Sequence, residues 1–215
     1  MAAAKPQSAP ERQRDREATM RLLIDAVGRV LARQGFREVK VNVVAREAGV
    51  NKVLIYRYFG GLDGLVTAFA HNGDFWPDLE ELTGGDREAF LALPLAERLV
   101  VAACNYMRGI RRRPLTQEIL TWRFLEHNAL TEALDSVRQS VGIQIMQLVQ
   151  SDLDAAPDLD IAALYAVLGG TINHLSVRGR TEETFAGLPL GDETTWKRLE
   201  AMLARIIRSV LGNVG

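Results

Sequence analysis

The chain has 215 residues, 47% of them hydrophobic and 25% charged, the balance of an ordinary globular protein with room for one large domain or a small and a medium one. No apolar run approaches the ~18–20 residues of a membrane span, and the single cysteine, Cys104, excludes an internal disulfide or a multi-cysteine zinc site. The net charge of −1 conceals an asymmetry: residues 1–70 hold twelve Lys/Arg against seven Asp/Glu, and the rest hold fourteen against twenty.

A basic end on an acidic body suits a chain with one face toward a polyanion, although solvated charges clustered by chance give the same sums. The opening segment, Met1 to Glu17, is polar and lacks the apolar centre of a secretory signal. The expected location is therefore cytoplasmic.

Residues 1–15, rich in Ala, Pro, Gln and Arg without a period, read as a flexible arm. From Arg16 the apolar positions Met20, Leu23, Ile24, Val27 and Leu31 follow helical spacing, and Gly35 with Phe36 beyond it predicts a left-handed cap with a hydrophobic contact. The same period recurs in five later stripes. They are Leu95 to Ile110, Ile119 to Leu125 after Pro114, Leu134 to Val149, Ile161 to Leu175 between Pro157 and Gly179, and Trp196 to Val210. Glycine and proline clusters fall between them, and no alternating β-branched run competes. The predicted fold class is all-α: a helix-turn-helix domain over 16–60, then a connecting helix and a larger helical domain over 61–215.

The stretch VNVVAREAGVNKVLIYRY, Val41 to Tyr58, satisfies every restricted position of a helix-turn-helix. Val44, Ala48, Val50, Ile55 and Tyr58 fall where the unit is apolar, and Ala45 is small where the second helix approaches. Gly49 stands at the turn, and Asn51 stands where it caps the second helix. That second helix is the expected reader of DNA. Lys52 and Arg57 reach phosphates or guanine, Val53 and Leu54 offer apolar contacts, and Tyr56 and Tyr58 present hydroxyls. With few side chains suited to bidentate base contacts, part of the specificity is expected to come from DNA shape.

Helix, Gly35-Phe36, AREAGV-N-K, IYRYF and a leucine-bearing fourth helix together resemble the tetracycline-repressor (TetR) family over residues 16–70. The resemblance implies a three-helix DNA-binding domain, a connecting helix, a ligand-binding domain and a homodimer on a near-palindromic operator. It also implies repression released by a small-molecule effector that swings the connecting helix. The chain departs from the family pattern at Lys40, where Thr or Ser usually opens the second helix. It departs again at Val53 and Leu54, often Gly and Thr, and at Leu62, near which a Lys often stands. Lys40 cannot cap the helix but has the charge to meet a phosphate.

The last two stripes, about 158–178 and 193–211, read as antiparallel helices that pair with those of a second copy. Ala162, Ala166, Gly169 and Gly170 then allow close approach, and Trp196, Leu199, Leu203 and Ile206 fill the seam. The alternative is packing inside one protomer. Tyr106, Trp122, Phe124, His127 and His174 are the candidate ligand-binding residues, weighed against ordinary core roles, with Cys104, Met107 and Met146 beside them.

An enzyme is the first rival reading, but no HExxH, phosphate loop or GxSxG elbow occurs, and the three histidines have no partner at helical spacing. No catalytic residue, metal or cofactor is expected. The second rival is a helix-turn-helix kept as a scaffold for protein interaction, with Val53 and Leu54 buried against a partner. Arg111, Arg112 and Arg113 read as a solvated helix end that stabilises its last carbonyls.

Overall fold

A computed structural model describes residues 9–72, 75–123, 129–154 and 160–212. These fall into two compact units, one within Met1–Gly73 and His127–Leu134, the other within Asp74–Glu126 and Asp135–Gly215.

The first unit is built on α1 (Ala9–Gln34), α2 (Val41–Ala48), α3 (Val53–Phe59) and α4 (Leu62–Asn72). Helix α1 starts at Ala9, inside the segment expected to be a flexible arm. Pro10 sits in its first turn, where a missing N–H costs nothing, and Gln13 Nε2 donates to Glu17 Oε1 at 3.0 Å. The inward face of α1 carries Leu23, Ala26, Val27, Val30 and Leu31, each at most 1% exposed.

Gly35 has the expected positive φ of 76°, but its ψ of 176° is extended rather than left-handed helical. That region is open essentially to glycine alone. The Gly35 N–H bonds the Leu31 carbonyl at 3.1 Å, and buried Phe36 opens a single 3-10 turn, Phe36–Glu38.

Helix α2 ends at Gly49, with φ 69° and ψ 25°. The Val50 N–H bonds the Ala45 carbonyl at 3.0 Å and the Gly49 N–H bonds that of Arg46 at 3.1 Å, the paired bonds of a Schellman ending. Arg29 Nε donates to Glu47 Oε1 at 2.8 Å, tying α1 to α2. Helix α3 turns into α4 through Gly60 (φ 75°) and Gly61 (φ 141°). The α4 backbone then passes so close to α3 that a Cβ on Gly64 would lie 1.8 Å from the Phe59 carbonyl oxygen. Helix α4, expected to open the larger domain, clusters with the N-terminal helices.

The second unit is organised around α7 (Leu95–Arg111), which packs against α5 (Leu79–Thr83), α8 (Pro114–Arg123), α10 (Ile161–Arg178) and α11 (Glu193–Gly212). Helix α6 (Arg87–Ala92) and, from Asp135 onward, α9 (Ala129–Asp154) complete the helical set among the described residues. Asp78, Asp86 and Asp160 cap α5, α6 and α10 by accepting the N–H three residues on, at 2.8–2.9 Å. Three ion pairs hold α7 antiparallel to α11: Glu97 with Arg208 (2.7 Å), Arg108 with Glu200 (2.5 Å), and Arg111 with Glu193. Arg112 and Arg113 converge on Glu81 and draw its carboxyl below the usual range, Arg113 most strongly. The arginine run is thus a set of interhelical ties, and Arg113 also donates to a helix-end carbonyl, that of Gly109 at 3.1 Å.

Of the residues expected to fill a seam between copies, Ile206 is exposed on α11 while Trp196 and Leu203 turn inward. The principal neighbour of both α10 and α11 is α7, and Trp196 and Leu203 are buried within the protomer at 3% and 6% exposure. Trp196 donates from Nε1 to the Leu190 carbonyl at 2.8 Å, beneath the Arg111 guanidinium at 4.1 Å. It cannot also fill a seam between subunits. A two-residue antiparallel bridge, Thr184–Phe185 with Leu188–Pro189, precedes α11 and escaped the helical reading. Its turn, Ala186-Gly187, takes positive φ at both positions, as a primed hairpin turn requires.

Gly64→Ala tests the α3–α4 junction. Overpacking against a carbonyl that cannot yield is expected to cost about 1–3 kcal/mol in urea unfolding, outweighing the ~1 kcal/mol alanine gains in helix propensity. A variant as stable as the parent would disprove the close approach.

Candidate nucleic-acid interface and internal cavity

Helix α3 divides sharply by burial. Ile55 is fully buried, while Val53 and Tyr56 stand 59% and 56% exposed, with Asn51, Lys52 and Arg57 also exposed. Lys52, Val53, Tyr56 and Arg57 are one turn apart in pairs and share an outward face. Leu54 and Tyr58 are half-buried at its margins, less available than the sequence suggested.

Asn51 performs the expected cap: its Oδ1 accepts the Val53 N–H at 2.9 Å and its carbonyl accepts the Leu54 N–H at 3.0 Å. Lys40 stands at the head of α2 without capping it, and its Nζ lies 2.9 Å from Glu38 Oε1 on the surface. Arg16 was not singled out from the sequence. Its guanidinium lies 5.5 Å from the Tyr58 ring centre, and Arg57 lies 5.9 Å away, so the ring meets two cations. The signal was available, since Arg16 is one turn before Met20 in the α1 stripe. Because the segment Asn51 to Phe59 carries no carboxylate, nothing on α3 itself repels a phosphate.

The second unit holds a mainly apolar cavity, part of it open to solvent, lined by side chains of α7, α9 and α10. Helix α7 contributes Leu99 and Tyr106, α9 contributes Arg138 and Ile145, and α10 contributes Tyr165 and Ile172. Of the candidates named from sequence, Tyr106 and Met146 line this space. Tyr106 donates from its hydroxyl to Asn173 Oδ1 at 2.8 Å. Burial, and then the neighbouring Tyr165, push its pKa well above the ordinary phenol value of 10.0, so it stays neutral.

Trp122 and His174 do not line the space. Trp122 donates to Glu118 Oε1 one turn back at 2.7 Å. His174 faces solvent, with its ring 5.4 Å from that of Phe185; the α10 stripe turned Ile172 and Leu175 inward instead. Phe124 and His127 lie outside the described residues. Cys104 is buried, and desolvation, followed by the Glu200 charge, raises its thiol pKa, the opposite of a reactive cysteine. The described residues hold no group of three metal-ligating side chains. No described helix is long and apolar enough to cross a membrane. Arg138, Tyr165 and Trp76 escaped the sequence reading; Arg138 follows Leu134 by one turn on its stripe, where a cation reads as solvated.

Two substitutions probe these sites. Asn51→Ala is expected to lower stability by about 0.5–2 kcal/mol while Asn51→Asp retains it; equal melting of all three proteins would discount the cap. For Tyr106 the raised folded pKa means that the unfolded chain loses its phenolic proton first, so stability falls as pH rises above about 10. Tyr106→Phe is expected to flatten that alkaline decline in denaturant titrations, and an unchanged slope would locate the effect elsewhere.

Comparison with known proteins agrees with this geometry. Residues 23–69, from the core of α1 through α4, match the family described as bacterial regulatory proteins, tetR family. Over 174 residues, 76% of each chain, the sequence is 26% identical to the HTH-type transcriptional regulator SrpR of Pseudomonas putida. The fold is shared with the fatty acid degradation regulator FadR of Bacillus halodurans, at 15% identity and TM-score 0.62, covering 93% of this chain and 97% of that one. A TetR family transcription regulator of Marinobacter aquaeolei superposes with TM-score 0.59 at 19% identity, over 91% and 97% of the two chains. The matched segment contains the whole of α2, its glycine turn and the exposed face of α3, and over that segment the chain is similar to the TetR family of bacterial regulatory proteins.

Proposed function

We propose that the protein is a ligand-responsive repressor that binds a near-palindromic operator as a homodimer. The observation that carries this is the outward face of α3, where Lys52, Val53, Tyr56 and Arg57 are exposed while Ile55 and the Asn51 cap anchor the helix. In this reading Lys52 and Arg57 supply phosphate or guanine contacts, and Val53 supplies an apolar contact such as a thymine methyl. Tyr56 contributes a hydroxyl, while Leu54 and Tyr58 act from the margin. Lys40 reaches a phosphate by exchanging Glu38 for it.

The self-association reading rests on apolar side chains left in water. On α11, Met202, Ile206 and Val210 are spaced by four and are 52%, 40% and 36% exposed. On α10, Val167 is 65% exposed beside exposed Ala163, Ala166 and Gly170. A second copy covers this ridge in the proposed dimer, with two-fold symmetry setting the reading helices ~34–36 Å apart. The cavity of the second unit takes the effector, and occupancy shifts the protein toward a conformation whose reading helices no longer match successive grooves.

Selection from a random double-stranded DNA library tests the reading. The wild-type chain is expected to enrich an inverted repeat that Lys52→Ala/Arg57→Ala does not, with affinity falling steeply as salt rises. No enrichment at low salt by a folded protein would overturn it in favour of a protein-interaction role.

A further inference from the structure

The wall of the cavity is apolar except at one place. There Tyr106, Tyr165 and Arg138 come within electrostatic reach of one another. Arg138 donates from Nε to Asp135 Oδ1 at 2.7 Å, and Arg123 Nη2 lies 2.8 Å from Oδ2 of the same carboxylate. Gln139 Nε2 donates to that second oxygen at 2.9 Å. Asp135 thus has both oxygens engaged, with its side chain only 11% exposed. Among the described residues two guanidiniums share this one carboxylate, which leaves one excess positive charge in the cluster beside an apolar space.

The hydroxyl of Tyr165 belongs to the same corner. A Cβ on Gly142 would lie 2.8 Å from it, so the absent side chain lets the phenol rest on α9 one turn beyond Arg138. The Tyr106 proton is already given to Asn173. Tyr165 and Arg138 are therefore the donors this corner offers to a ligand.

We infer that the cavity binds a monoanionic amphiphile, with its carboxylate at Arg138 and Tyr165 and its hydrocarbon tail between α7, α9 and α10. The inference rests on the cavity being the effector site and specifies what fills it. A neutral alcohol of equal length buries the same tail but leaves the excess charge of the cluster unmatched. A quaternary ammonium meets that charge with its own sign. A carboxylate neutralises it and accepts charge-assisted hydrogen bonds. Tail burial is common to all three, so the head group decides among them.

Calorimetric titration of the full-length protein with decanoate, decanol and decyltrimethylammonium, each below micelle-forming concentration, separates these cases. Decanoate is expected to bind about tenfold more tightly than decanol, with the ammonium no tighter than decanol. Arg138→Gln is expected to erase the decanoate advantage and leave decanol affinity within about threefold, whereas Arg138→Lys retains part of it. Tyr165→Phe, which keeps every charge, is expected to weaken decanoate several-fold and decanol little. Decanol matching decanoate, or an advantage that survives both Arg138→Gln and Tyr165→Phe, would overturn the carboxylate assignment alone. Failure of all three ligands to bind would overturn the effector cavity as well.

Discussion

At Gly49 the chain holds φ at 69° and ψ at 25°, and the two N–H groups that follow from that twist close the end of α2. A Cβ is strained in this region. The glycine therefore fixes the angle at which α3 leaves α2. That angle in turn determines which residues of α3 face inward. Ile55 goes to the core, Val53 and Tyr56 go to solvent, and Lys52 and Arg57 follow them by helical geometry. The reading face is thus a consequence of a backbone conformation outside the reading helix. Gly60 and Gly61 do the same for α4, while Gly64 leaves room for the Phe59 carbonyl, and the short α3 is flanked at both ends by backbone only glycine tolerates cheaply.

The second unit uses a different strategy. Its hub, α7, has side chains committed on every side: Leu99, Met107 and Ile110 to the core, Glu97, Arg108 and Arg111 to α11, and Tyr106 to α10 through Asn173. Even Arg98 is taken in, with its Nη2 at 2.7 Å from Asp152 and its Nη1 donating to the Leu148 carbonyl. A helix engaged this heavily makes a rigid wall. The empty space lies between that wall and the faces of α9 and α10, where Gly142 and Gly169 withhold side chains.

Legibility in the sequence follows the range of the forces involved. The stripes of α1, α7 and α11 are local patterns of burial, and periodicity finds them. The glycine turn and the Asn51 cap are local chemistry, and residue type finds them. The cavity is different, because a space is defined by what several distant helices fail to fill. Tyr106 was found as an aromatic with a polar handle. Arg138 and Tyr165 were missed, because a cation and a half-exposed phenol on separate helices look like surface until α9 and α10 are brought together. His174 lies off the cavity for a related reason: one step of 100° along α10 separates an inward position from a solvated one. In the same way the α11 stripe hides two faces, Trp196, Leu203 and Ile207 inward and Met202, Ile206 and Val210 outward.

The three ion pairs between α7 and α11 also act as a rotational pin. Glu193, Glu200 and Arg208 occupy one side of α11, and each meets a partner of opposite sign on α7. The order of signs along α7, acidic then basic then basic, meets its complement on α11 in this alignment. Helix α11 therefore cannot roll to hide Met202, Ile206 and Val210 without losing all three ties and withdrawing Trp196 from beneath Arg111. Among the described residues nothing else in the protomer lies over that greasy edge, so the shelf life of an isolated protomer in solution depends on what covers it.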